Sequence, residues 1–234
     1  LFRGGPVATA LPEHGIVRGA SVSLAARLVG GHLVNASAVY VSTGQLPAGE
    51  RVRVLVDEAH ALFRSNDDGA LSHVYPQLAA VDPDMFGICV ANTEGQTVEA
   101  GDAEVEFTIM SVAKPFVLAL MCAANSSQTV LEFVGVNATG RRFNSLAAIE
   151  DRADGRTNPM VNPGAIATTS MTPGTTTDDK WEFLRSGLSG FAGRDLSPDH
   201  EVFASASATN SANRAIGALL RSRDRLAAEP DETV

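Results

Sequence analysis

Residues three apart on a helix share a face, so in Ser111-Val112-Ala113-Lys114 a hydroxyl and an amine can meet. A serine hydroxyl is a weak nucleophile and needs a neighbouring base to take its proton. Lysine serves as that base only where burial or nearby positive charge leaves it neutral. Ala113 and the run Pro115-Phe116-Val117-Leu118 offer an apolar setting of that kind. Arginine does not deprotonate in proteins, and of 18 basic residues only Lys114 and Lys180 are lysines. With Ser111 as N-cap, Pro115 is the fourth helical residue, within the stretch whose N–H groups lack intrahelical partners. Lys114 precedes that proline and resists helical dihedrals, which opposes this start. Ser-x-x-Lys also arises by chance and serine is an ordinary N-cap, so the tetrapeptide alone leaves a purely structural role open.

Two asparagine clusters add polar groups. Asn158-Pro-Met-Val-Asn162-Pro-Gly-Ala-Ile166 reads as a rigid turn leading into a helix. Asparagine offers both a donor and an acceptor, suited to orienting an amide or a carboxylate, although a well-capped turn explains the segment equally. Asn213 lies early in a helical stretch, where a cap or a surface position is the ordinary role. His14, His32, His60, His73 and His200 are scattered, with no Cys/His cluster at metal-ligand spacing.

The elements that must position these groups come from a chain of 234 residues, 44% hydrophobic and 19% charged, enough for an ordinary core. A formal net charge of −9 without a basic stripe argues against nucleic acid or an anionic membrane as partner. Cys89 and Cys122 lie in apolar runs and read as buried free thiols. The longest strongly apolar run, Phe116 to Ala124, is too short to span a bilayer, and no leader pattern opens the chain. Cytoplasmic location is the expectation.

Residues 1–50, rich in Gly, Ala, Val and Ser, read as an extension of low order, followed by one domain over 51–234. Periodicity predicts a helix over 52–63 and a hairpin pairing 86–91 with 96–100. A buried helix is expected over 112–124, with further helices over 131–136, 144–149, 181–188 and 210–226. A lone hairpin is not a stable sheet, so either helices make the core or further strands complete it.

Taken in order, Gly101-Asp102, Phe-Thr-Ile-Met-Ser-Val-Ala-Lys-Pro-Phe at 107–116, Val-Gly-Val at 134–136, Arg-Phe-Asn-Ser at 142–145 and the Asn158–Ile166 segment resemble the serine-dependent glutaminases. His73-Val-Tyr-Pro-Gln-Leu-Ala79 upstream, and Val202-Phe-Ala-Ser205 and Asn213-Arg-Ala215 downstream, extend the resemblance from about residue 52 to the end. It implies an α/β (α+β) serine β-lactamase/transpeptidase-like fold, with helices flanking an antiparallel sheet that is incomplete within this chain. It further implies hydrolysis of L-glutamine to L-glutamate and ammonia through an acyl-enzyme, without metal or organic cofactor, in a homo-oligomer. Matched residue by residue, Ser111 resembles the nucleophile, Lys114 its base, and Asn162 and Asn213 the substrate-holding asparagines.

The family carries Glu where this chain has Ala206, Gln at Met110 and Ser at Ala113, and it continues past Val234 with two active-site tyrosines, a second oxyanion donor and the remaining strands. Loss of the carboxylate would leave the substrate ammonium poorly paired, an effect of roughly 2–5 kcal/mol in a buried site. Two alternatives stand beside a glutaminase. One is a non-catalytic relative kept for association or binding. The other is a penicillin-recognising hydrolase, which wants a Lys-Thr-Gly strand that this chain lacks.

Overall fold

The computed structural model of the protein describes residues 2–3 and 48–234, so the extension expected over 1–50 lies almost wholly outside the described residues. Among the described residues, four strands and nine α-helices follow in order: β1 (Phe2–Arg3), α1 (Gly49–Phe63), β2 (Gly87–Ala91), β3 (Thr97–Gly101), α2 (Ala113–Asn125), α3 (Ser127–Val134), α4 (Ala147–Glu150), α5 (Asn162–Ser170), α6 (Thr177–Ala192), β4 (Ser197–Pro198), α7 (His200–Ala208), α8 (Ser211–Ser222) and α9 (Pro230–Thr233). The described residues fall into two compact units.

The smaller unit holds α1 and the β2–β3 hairpin. The strands pair antiparallel with Gly87 opposite Gly101 and Ala91 opposite Thr97, close to the register the apolar run and the Asn92–Gly95 turn predict. Helix α1 packs on both strands. The His60 ring stacks on Phe86 at 5.3 Å, and the Phe86 N–H donates to the Asp102 carboxylate at 2.9 Å, closing the hairpin's open end. Gly101 has φ +67, and any β-carbon there would fall on the His60 ring and the Phe86 carbonyl.

The larger unit is helical, with its core in Met121, Val130, Val134, Ile149, Ile166, Ala167, Ile216, Leu220 and Leu226. Helix α5 sits at its centre, packed on α2, α3, α8 and α9. Its sequence, NPGAIATTS, has no polar face to present to water, which suits a helix enclosed on all sides. Buried hydroxyls are satisfied within it: Thr168 Oγ1 donates to the Gly164 carbonyl at 2.7 Å, and Ser170 Oγ to the Ala167 carbonyl at 2.7 Å.

Several boundaries differ from the sequence expectation. The 131–136 helix is α3, starting at Ser127, where Ser126 Oγ accepts from the Thr129 N–H. The 144–149 helix contracts to α4, and the 181–188 helix lengthens to α6 because Thr176 and Asp179 form a capping box and Gly193 closes it in the left-handed region. The 210–226 helix ends at Ser222, and Asp224 has φ +54. Helix α7 was not expected at all, since HEVFASASA is too rich in small residues to show a period. The 112–124 helix is α2, in which only Met121 is fully buried. Neither Cys89 nor Cys122 is fully buried: Cys89 is exposed on β2 opposite Glu99, where alternate residues of a two-stranded sheet face outward, and Cys122, a free thiol, is half-buried.

Helix α5 can enter this core only because Gly164 lets its first turn touch the Asn158 peptide; a β-carbon at 164 would overlap the Asn158 carbonyl. The Gly164→Ala variant is therefore expected to lose about 1–3 kcal/mol in urea unfolding, despite alanine's higher helix propensity. Thr176→Ala, which removes half of the α6 capping box, is expected to cost about 1 kcal/mol by the same measurement.

Candidate active site

The chain enters the site through Ile109 in helical geometry and Met110 at φ +44. A left-handed, non-glycine residue costs of order 1–3 kcal/mol, and this one immediately precedes Ser111. Met110–Val112 form a single 3₁₀ turn, and α2 starts behind it with Val112, not Ser111, at the N-cap. Lys114 and Pro115 are then the second and third helical residues. The proline falls where an N–H would have no intrahelical partner, and Lys114 is helical although it precedes a proline. Ser111 is exposed, at the positive end of α2.

The two side chains meet as their spacing predicts, with Lys114 Nζ 3.0 Å from Ser111 Oγ. Partial burial of the amine disfavours its charged form and lowers its pKa from the ordinary lysine value. Lys114 also donates to Asn162 Oδ1 at 2.9 Å, so it bridges the serine and the first residue of α5.

Asn162 is delivered by a loop whose motifs now have separate duties. Its backbone N–H donates to the Phe143 carbonyl at 2.7 Å, tying the Arg-Phe-Asn-Ser segment to α5. Asn158 is structural. Its amide donates to the Val136 and Asn137 carbonyls at 3.0 and 3.3 Å and accepts from the Met160 N–H at 2.8 Å. Val134 accepts from the Thr157 N–H at 2.7 Å, and Gly135, at φ +85, leaves room for the Thr157 carbonyl. Val-Gly-Val and Asn-Pro-Met-Val-Asn are thus two sides of one clamp.

From Asn162 the polar contacts continue into α8. Asn162 Nδ2 donates to Asn213 Oδ1 at 3.0 Å, and Asn213 Nδ2 to Asn210 Oδ1 at 2.7 Å. Asn210 Nδ2 donates to the Val234 carbonyl at 2.8 Å. All four residues singled out in the sequence, Ser111, Lys114, Asn162 and Asn213, therefore lie on one hydrogen-bonded path. Asn210 lies on it too, although nothing singled it out; its placement one helical turn before Asn213 was the available signal. Ala206, on α7, brings no carboxylate, and the neighbouring Ser205 Oγ is buried without a hydrogen-bond partner.

A hydroxyl beside a part-buried amine, with amide groups alongside, is chemistry for nucleophilic attack on a carbonyl compound. The glutaminase family model matches residues 69–234. "Glutaminase 2" of Yersinia pestis is 53% identical over 191 residues, covering 82% of this chain and 56% of that protein. Among solved structures, "Probable glutaminase ybaS" superposes with a TM-score of 0.76 at 32% identity, over 80% of this chain and 60% of that one. A probable glutaminase from Bacillus subtilis complexed with 6-diazo-5-oxo-L-norleucine gives 0.65 at 29% identity, over 81% and 56%. This chain thus spans less than two thirds of the length of the relatives it matches. Its mixed architecture, a small antiparallel sheet with many helices, is the serine β-lactamase-like fold of these proteins, and the chain belongs to the glutaminase family.

Proposed function

We propose that this protein is a glutaminase that hydrolyses L-glutamine to L-glutamate and ammonia through an acyl-enzyme on Ser111. The observation that carries the reading is the run of contacts from Ser111 through Lys114 to Asn162 and Asn213, in a chain of this family. Ser111 Oγ attacks the side-chain amide carbon while neutral Lys114 takes the hydroxyl proton. Lys114 then returns that proton to the departing nitrogen, and ammonia leaves. Water, deprotonated by the same amine, attacks the γ-glutamyl ester; glutamate departs and the Ser111 hydroxyl is restored. Asn162 and Asn213 hold the amino-acid end of the substrate. The Ser111 N–H, in the turn ahead of α2, donates to the developing oxyanion, a contribution of roughly a hundredfold or more in rate. The resemblance extends the reading to a homo-oligomer, and the cytoplasm is the location expected from the sequence. No single helix among the described residues is long and apolar enough to cross a membrane.

Ala206 favours a second reading, a family member without turnover, because the carboxylate expected to pair with the substrate ammonium is missing. Ammonia release from L-glutamine separates the two. For a glutaminase, Ser111→Ala is expected to lower turnover by about 10⁴-fold or more with an unchanged circular dichroism spectrum. A folded chain with no Ser111-dependent release establishes the second reading instead.

Lys114→Arg keeps the positive charge but cannot accept a proton, and is expected to be nearly as damaging as Ser111→Ala. The pH profile carries the sign of the lysine shift. Burial lowers the Lys114 pKa, so the neutral base forms at lower pH than for a free lysine. Turnover should rise with pH through that lowered value and level off before the ordinary lysine range. A rate still climbing through the ordinary range removes Lys114 as the base.

A further inference from the structure

Position 110 interrupts a helical run. Ile109 is helical at φ −60, ψ −31, and the chain is helical again at Val112 and Ala113, with φ −62 and −65. Between them Met110 stands at φ +44, where a β-carbon crowds the backbone and only glycine escapes the cost. The other two non-glycine residues at positive φ among the described residues, Ser126 and Asp224, fall at helix ends and have the short polar side chains that visit this region. Methionine has no such group.

Two bonds close over the interruption. The Val112 N–H donates to the Ile109 carbonyl at 2.9 Å, and the Ala113 N–H reaches the Met110 carbonyl. Ile109–Val112 is therefore a turn in which the first central residue, Met110, has a positive φ and the second, Ser111, does not. That is the pattern of a type II′ turn, whose first central position ordinarily belongs to glycine. The Ser111 N–H donates to no acceptor among the described residues.

We propose that Met110 is a positioning residue that acts on Ser111 through its backbone and not through its side chain: the left-handed step at 110 ends the helix just ahead of Ser111 and leaves the serine hydroxyl and N–H open beside Lys114. This deepens the glutaminase reading and rests on it for the catalytic consequence. In a helix each side chain leans towards the N-terminus, onto the turn before its own. Lys114 does so and meets Ser111 Oγ at 3.0 Å. Were Met110 helical as well, residues 107–110 would form the turn onto which Ser111 leans, in the space its exposed hydroxyl now faces. The thioether makes no hydrogen bond among the described residues, which leaves backbone and packing as the two ways in which position 110 can act.

The test compares Met110→Gly, Met110→Ala and Met110→Ile by thermal unfolding and by ammonia release from L-glutamine. Glycine takes a positive φ freely, alanine bears the cost of a β-carbon, and a β-branched residue opposes it most. M110G should unfold a few degrees above M110A, the reverse of their order at a helical position. The kcat of M110G should exceed that of M110I by about tenfold or more, with KM values within about threefold of each other. Packing by the side chain demands the opposite order, since isoleucine nearly matches methionine in volume and glycine has no side chain. A folded M110I with kcat at or above that of M110G overturns the inference, as does M110A unfolding above M110G. Should M110I not fold, M110A takes its place, a kcat at or above that of M110G overturning it. If the parent chain releases no ammonia, the glutaminase reading fails, while the order of the M110G and M110A unfolding midpoints still decides whether the backbone at 110 is held left-handed.

Discussion

Helix α5 is the constraint from which the rest of the larger unit is hung. Six of its nine residues are buried, so its position is decided by packing on four neighbouring helices rather than by any contact with water. A segment enclosed in this way has to satisfy its polar groups internally, and it does. The threonine and serine hydroxyls turn back onto the helix's own carbonyls, Ser170 also accepts the Ala227 N–H, and Asn125 closes on the Met171 carbonyl just past its end. Asn162 is the first residue of this rigid body. Its amide inherits the precision of the core, and the lysine that binds it is held by the same packing.

The Ser111 side is built on the opposite principle. Ser111 is exposed and sits between a left-handed Met110 and a short 3₁₀ turn, so its geometry depends on a backbone under strain. The helix behind it is well anchored through Met121, which is fully buried, and α2 packs on α5. Strain at 110 and order at 114 are thus one turn apart. The start of α2 sets an exposed hydroxyl and a part-buried amine, whose charged form burial disfavours, within four residues.

Much of this was legible in the sequence where one physical pattern dominates. The hairpin was readable because a β-branched run, a turn and a second run sit side by side, and α1 because its apolar residues recur at helical spacing. The Ser111–Lys114 contact followed from spacing alone. What escaped had no such pattern. Helix α7 ends in a run of small residues that carries no period, and Val112 rather than Ser111 is the N-cap of α2, behind a left-handed Met110 and a 3₁₀ turn that composition does not announce. Cys89 looked buried because its neighbours are apolar, but it lies on a hairpin with only two strands among the described residues. Asn210 escaped for another reason: its partners are an amide one turn away and a backbone oxygen 24 residues on, and neither contact leaves a mark in local composition.

The succession of Asn162, Asn213 and Asn210 has a consequence for which side chains such a series tolerates. Each member must both give and take a hydrogen bond, which hydroxyls and amides alike can do. A hydroxyl, however, rotates freely about its C–O bond and serves a reversed series as well as the original one. An amide has two chemically different ends at fixed positions, and reversing it means turning the whole group over against its packing. Serine or threonine in place of these asparagines would keep the connection and forget its orientation. Three asparagines in succession form a memory, entered from the end where the lysine N–H can only find an oxygen.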